Sequence, residues 1–355
     1  YEISLGLVGS EMCIRDRIKS VEDAFAKSTI WGFAIKASSD KKFIVDATEF
    51  SMRDSHMVSA RLKRQNQGTF KIDQKSSSFD AVSSKNFPFN TEIESFLTFR
   101  GMATGRWLSS VSPNSESFSV RTRHSFVQLP DEGYSPRKFD PRAGYGAMTF
   151  YDYASPIEDD LHIKYIRRHR LIKKYPNQEL SEAVEPIIYY LDRGVPEPVK
   201  SALIEGASWW NEAFEAAGFK NAFQIKVLPE GADMLDVRYN VIQWVHRSTR
   251  GWSYGSSVVD PRTGEIIKGH VSLGSLRVRQ DYLIAEGLLR PYAEDNKKDL
   301  MKEMAIKRLR QLSAHEVGHT IGLSHNYISS ARAVSYTHLR AHETEADLVC
   351  RLLLE

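Results

Sequence analysis

The stretch His315-Glu316-Val317-Gly318-His319-Thr320-Ile321-Gly322-Leu323-Ser324-His325 decides how this chain is read. An α-helix turns once per about 3.6 residues. His315 and His319, four apart, therefore share one helix face, and both imidazoles can reach one ion, at about 2.0–2.1 Å for zinc. Glu316 leaves the helix at a different angle. It can approach a water on that ion without ligating the ion, and so serve as general base. Gly322 can end the helix in a left-handed conformation with no Cβ penalty. The chain then turns back and His325 supplies a third nitrogen. Three neutral nitrogens leave a fourth position open for water and substrate, as a catalytic zinc site requires. The plainer reading is a surface helix with incidental histidines. The apolar neighbours Leu312, Ala314, Val317, Ile321 and Leu323 fit a solvated helix poorly.

Outward from the motif, Leu300 to Leu323 reads as one helix and Leu276 to Leu289 as another, with Pro291 after it. Before them, Trp252 to Val259 and Glu265 to Leu273 flank the turn Asp260-Pro261-Arg262-Thr263-Gly264, a hairpin pattern. Val237 to Val245, Phe223 to Leu228 and Pro186 to Leu191 read as strands. Pro196 and Pro198 open a helix in which Val199, Leu203, Gly206, Trp210, Phe214 and Ala217 recur at helical spacing, with Gly218 as its cap. Trp209 and Trp210 fit core packing. Strands, an early helix and a final motif helix predict an α+β catalytic domain over 186–333, a mixed sheet plus the active-site helix.

Residues 18–185 read as a β-rich N-terminal domain. Trp31–Ile35 and Phe43–Ala47 flank Ser38–Lys42 as a hairpin; Thr69–Asp73, Ser117–Arg121 and Ser125–Val127 alternate like strands. Ser76–Asn90, rich in Ser, Asn and Lys, reads as an exposed loop, and Tyr134–Tyr145 as a turn-rich connector. The two ends, 1–17 and 334–355, resemble adapter read-through and are set aside. They hold both cysteines, Cys13 and Cys350, so the body offers no disulfide, thiol nucleophile or cysteine metal site.

The chain has 355 residues, 41% hydrophobic and 26% charged, the balance of an ordinary globular protein. No apolar run is long enough for a membrane span. Net charge is +3 and mild for this length. The run Lys164-Tyr165-Ile166-Arg167-Arg168-His169-Arg170 lacks the features of a nucleic-acid binder and reads as a solvated basic face. No phosphate-binding glycine loop of the G-x-x-x-x-G-K-[ST] kind is present.

His315-Glu316-x-x-His319-x-x-Gly322-x-x-His325 resembles the metzincin pattern. The body more narrowly resembles bacterial secreted zinc-dependent metalloproteases with a β-rich N-terminal domain. The supporting stretches are Trp209 to Phe219, Asp260 to Ile266 and His325-Asn326-Tyr327. The resemblance implies an endopeptidase with Zn2+ on His315, His319 and His325, Glu316 as general base, a protein or peptide substrate, and a place outside the cytoplasm, secreted or periplasmic. It further implies that the strand after Gly264, Glu265 to Leu273, is the cleft edge that pairs with substrate. One departure stands out. Metzincins carry a methionine turn downstream of the motif, whereas the last methionine here is Met304. The chain is therefore expected to be a C-terminally truncated fragment.

Other candidates weigh less. His338, His342 and Glu343 lie in the suspect tail and imitate the motif without its order. His246 and His270, on or beside strands, read as ordinary hydrogen-bonded histidines. Tyr327 is a candidate for packing or for oxyanion stabilisation. Two rival functions share these residues: a non-catalytic binding protein that keeps the fold, and a zinc amidase acting on cell-wall peptides. Sequencing the intact gene across 17/18 and 333/334 is expected to break continuity at both joints and to place a methionine turn within several dozen codons of His325; native codons running through both joints would refute the foreign ends.

Overall fold

The computed structural model describes residues 18–25, 29–40, 42–247, 252–289 and 298–325. Two compact units are present, one closing at Gln128 and the other opening at Leu129. Residues 129–185, expected with the N-terminal domain, thus belong to the second unit. The physical reason is where their backbone groups find partners: strand-like bonds tie 144–146 to 322–324 and Arg168 to Gly264 and Ile266. The foreign-end assignments, Cys13, Cys350, Tyr327, His338, His342 and Glu343 all lie outside the described residues.

In the first unit, helix α1 (18–24) precedes a hairpin of β1 (Ile35–Ser39) and β2 (Lys42–Val45) and two short helices, α2 (Thr48–Ser51) and α3 (Val58–Arg64). A four-stranded antiparallel sheet follows: β3 (Gly68–Ile72), β4 (Ser78–Asn86), the long β5 (Asn90–Ala103) and β6 (Ser117–Val127), with α4 (Arg106–Val111) before β6. β5 pairs with all three others. Its Leu97 and Phe99, with Phe70, Met52 and Leu108, form the core. β4 corrects the expectation of a loop over 76–90. Its polar side chains suit a strand that is mostly exposed and paired only with β5, where the backbone ladder needs no apolar face.

The second unit begins with a hairpin of β7 (Ala147–Tyr151) and β8 (His162–Ile166). Short β9 (Ser181–Glu182) leads to β10 (Ile187–Leu191), helices α5 (Val199–Ser208) and α6 (Trp210–Ala216), and strands β11 (Phe219–Lys220), β12 (Phe223–Val227) and β13 (Asn240–Val245). The hairpin β14 (Tyr254–Val259) and β15 (Ile266–Gly274) then precedes α7 (Leu276–Leu289) and α8 (Lys298–Thr320). The main sheet has the order β12-β10-β13-β15-β14, parallel except for β14. Interior parallel strands are covered on both faces and so read as apolar runs, as Ile187 to Leu191 does. β14 instead alternates exposed and half-exposed residues, as an edge does.

Three expectations change here. β15 is hydrogen-bonded to β13 on one side and β14 on the other, so it is an interior strand; the edge on this side of the sheet is β14. The run Lys164–Arg170 is no free basic face, because Arg170 clasps Glu265 through Nε and Nη2 at 2.8 and 2.9 Å and also meets Asp131. The predicted helix over 199–217 is broken at Trp209 into α5 and α6, and Gly218 ends it at φ 87°. Asp-Pro-Arg recurs as a device: Asp140 and Asp260 each accept from the backbone and guanidinium of the arginine two residues on, closing a tight turn.

Tyr189, Leu191, Leu203, Ile242, Leu273, Leu309, Val317 and Ile321 build one core between this sheet and α5 and α8. The two helices touch backbone to backbone at Gly206, where a Cβ would stand 2.0 Å from the Arg310 carbonyl oxygen. Gly206→Ala is therefore expected to destabilise the protein by about 1–3 kcal/mol, read as a lower midpoint in urea unfolding.

Candidate metal centre

Helix α8 carries His315, Glu316 and His319 in its last two turns, and these turns are held hard in place. Trp210 Nε1 donates to the Ala314 carbonyl at 2.8 Å, and its ring lies where a Cβ on Gly318 would be. Ser313 donates to the Leu203 carbonyl. On the other side, a Cβ on Gly255 of β14 would stand 2.1 Å from the Glu316 carbonyl. Glycine at 206, 255 and 318 thus lets neighbours close on the motif helix from several directions.

The helix ends as its sequence predicts. The Leu323 N–H donates to the Gly318 carbonyl at 3.0 Å and the Gly322 N–H to the His319 carbonyl at 3.2 Å, the paired bonds of a Schellman cap. Gly322 sits at φ 110°, a conformation L side chains rarely adopt, and the Arg167 carbonyl occupies the space of its Cβ. The chain reverses there and brings His325 back. The three Nε2 atoms lie 3.1 Å (His315–His319), 2.9 Å (His319–His325) and 3.2 Å (His315–His325) apart. A tetrahedral ion at about 2.0–2.1 Å from each nitrogen needs separations of about 3.3–3.4 Å, so small ring movements complete the fit. His319 Nδ1 faces the Leu323 carbonyl at 2.9 Å. A carbonyl only accepts, so Nδ1 carries the proton and Nε2 presents its lone pair inward. Burial, then the neighbouring imidazoles, lowers the pKa of His325 and favours the neutral form that a ligand must have. Among the described residues this is the group of three or more His, Cys, Asp or Glu side chains that can hold a metal ion.

Glu316 is 6% exposed. Burial pushes its carboxyl above the usual range, while the charge of His315 and the Gly255 N–H pull the other way. The other histidines weighed from sequence sit elsewhere: His270 pairs with Gln243 at 3.1 Å and His246 with Ser275 at 3.0 Å.

Comparison with known proteins finds two family matches. Residues 297–346 match the Met-zincin family. The motif region is metzincin-like. Residues 12–174 match a domain of unknown function (DUF5117). Both matches reach into ends read from sequence as foreign. No curated protein matches the chain.

Behind the metzincin-like helix runs a polar chain that sequence reasoning missed. Tyr189, fully buried, donates to Thr320 Oγ1 at 2.8 Å, and Thr320 donates to the Val317 carbonyl at 2.7 Å. The Tyr189 oxygen also lies 3.4 Å from His169 Nε2. Gly269 leaves room for that hydroxyl, since a Cβ there would be 2.1 Å away. The lone signal was a tyrosine inside an apolar strand, whose hydroxyl needs a partner. Desolvation lowers the pKa of His169 from 6.5 to about 4. Between those values the unfolded chain binds a proton that the folded chain refuses, so stability rises with pH across that window. The contribution is complete above about pH 6.5 and is lost as pH falls towards about 4. His169→Gln should flatten this part of the acid limb in urea unfolding followed against pH.

Proposed function

We propose that the protein is a zinc endopeptidase, with His315, His319 and His325 as ligands and Glu316 as general base. The observation that carries this is the Nε2 triangle beside a buried glutamate on the same helix. A metal-binding role alone gives no reason to place a carboxyl there, since removing Glu316 from water costs free energy and three histidines hold an ion without it.

Zinc on three neutral imidazoles supplies Lewis acidity, bringing the pKa of water near 7 and polarising a carbonyl. The remaining steps belong to the chain. Glu316 takes the proton of the attacking water on a carboxylate oxygen and hands it to the leaving amine. Its raised pKa suits both halves of that transfer. His319 keeps its orientation through the Leu323 carbonyl. β14 ends the sheet order, and its Gly255 borders Glu316. An extended peptide adding to that edge would bring its backbone past the glutamate, which makes peptides the favoured substrate class.

Chelator treatment is expected to abolish cleavage of a denatured-protein or peptide-library substrate, and added zinc to restore it. Glu316→Gln should lower kcat/KM by about 100-fold or more while leaving bound zinc unchanged. Cleavage that survives both treatments would overturn the mechanism.

A further inference from the structure

His325 lies beyond the last hydrogen bond of the helix cap. The backbone just before it is held by a segment far away in sequence. The Ser324 N–H, one residue before it, donates to the Gly144 carbonyl at 2.8 Å. The Gly146 N–H donates to the Gly322 carbonyl at 2.7 Å, and Tyr145 bridges Leu323 in antiparallel fashion. Gly144 takes φ 70°, which turns the strap into this register. The strap is itself backed by the Arg167 N–H donating to the Gly146 carbonyl at 3.1 Å. Arg168 then exchanges bonds with Gly264 and Ile266, at 3.2 and 2.9 Å, at the start of β15. A continuous backbone ladder therefore runs from the main sheet through 166–168 and 144–146 to 322–324.

We infer that residues 144–146 are the seat of the third zinc ligand, so that the end of the segment matching the domain of unknown function is a working part of the metal centre. The inference rests on the ligand set proposed above. Ser324 and His325 lie past the paired bonds of the helix cap, so the helix ladder itself does not fix them. An untethered ligand would have to be ordered by the ion itself, and that ordering would be subtracted from affinity. The strap orders the segment beforehand. Gly144, Tyr145 and Gly146 are thus positioning residues: they touch neither ion nor substrate and act through His325. This also accounts for the match over 12–174 running past Gln128, because the residues beyond that boundary serve the second unit.

The test uses the full chain. Gly146→Pro removes the N–H that holds the Gly322 carbonyl; Gly144→Ala is a milder change that strains the strap at its left-handed residue. Zinc affinity is read by competition with a chromophoric chelator, and ligand geometry by the visible spectrum of the cobalt-substituted protein. Each variant is expected to bind zinc about 10–100-fold more weakly. The cobalt spectrum should move towards that of His325→Ala, while far-UV circular dichroism shows the metal-free protein still folded. Combined with His325→Ala, neither change should weaken zinc binding further, since the ligand it positions is already gone. Unchanged affinity and spectrum in both variants, or a full additional loss on the His325→Ala background, would overturn the proposal. If Gly146→Pro fails to fold, Gly144→Ala decides by the same readings. Unchanged zinc affinity in His325→Ala alone would instead overturn the ligand set, which separates the two failures.

Discussion

Gly322 is the position on which the rest of the site depends. A helix must satisfy its last carbonyls and then leave, and here it must leave sharply enough for a histidine three residues on to face two histidines behind it. A φ of 110° with the Arg167 carbonyl packed where a side chain would begin leaves glycine as the residue that fits. The same turn directs the Leu323 carbonyl at His319 Nδ1, which settles which nitrogen of that ring faces inward. Helix end, the return of His325 and the imidazole tautomer therefore follow from one backbone conformation.

Small residues repeat this logic around the motif helix. Gly206 admits α5, Gly255 admits the edge strand β14, and Gly318 admits the Trp210 ring. Each replaces a side-chain spacer with direct contact to helix backbone. The helix is accordingly gripped on several sides while its histidine face stays partly open. Tyr189 and Thr320 add a buried polar chain behind it, where an unpaired hydroxyl would be costly. Rigid placement of this kind suits catalysis, because a ligand or base misplaced by an ångström loses most of its effect.

Much of the second unit was legible because its signals are local. The strand Ile187–Leu191, the hairpin around Asp260–Gly264 and the long motif helix each declare themselves by apolar run, turn chemistry or spacing within a few residues. Errors arose where a segment's state depends on its neighbour. Ser78–Asn86 has a loop's composition and becomes a strand because β5 offers it a ladder. Asn90–Ala103, with Glu92 and Glu94 buried in it, did not stand out as the central strand it is. The break at Trp209 and the start of β13 at Asn240 rather than Val237 are likewise decided by packing.

What the sequence determined by itself was the motif helix: His315, Glu316 and His319 on adjoining faces, Gly322 as the stop, His325 beyond it. That much follows from the pitch of a helix and from the freedom of a residue without a Cβ, both properties of one short segment. Only the tertiary structure decided that β14, not the strand after Gly264, is the sheet edge beside the motif helix, and that a strap at 144–146 holds the turn before His325. Edge position and strap are pairings between backbones far apart in the chain. Backbone N–H and C=O groups are the same in every residue but proline, so side-chain patterns carry little record of which distant partner they will meet.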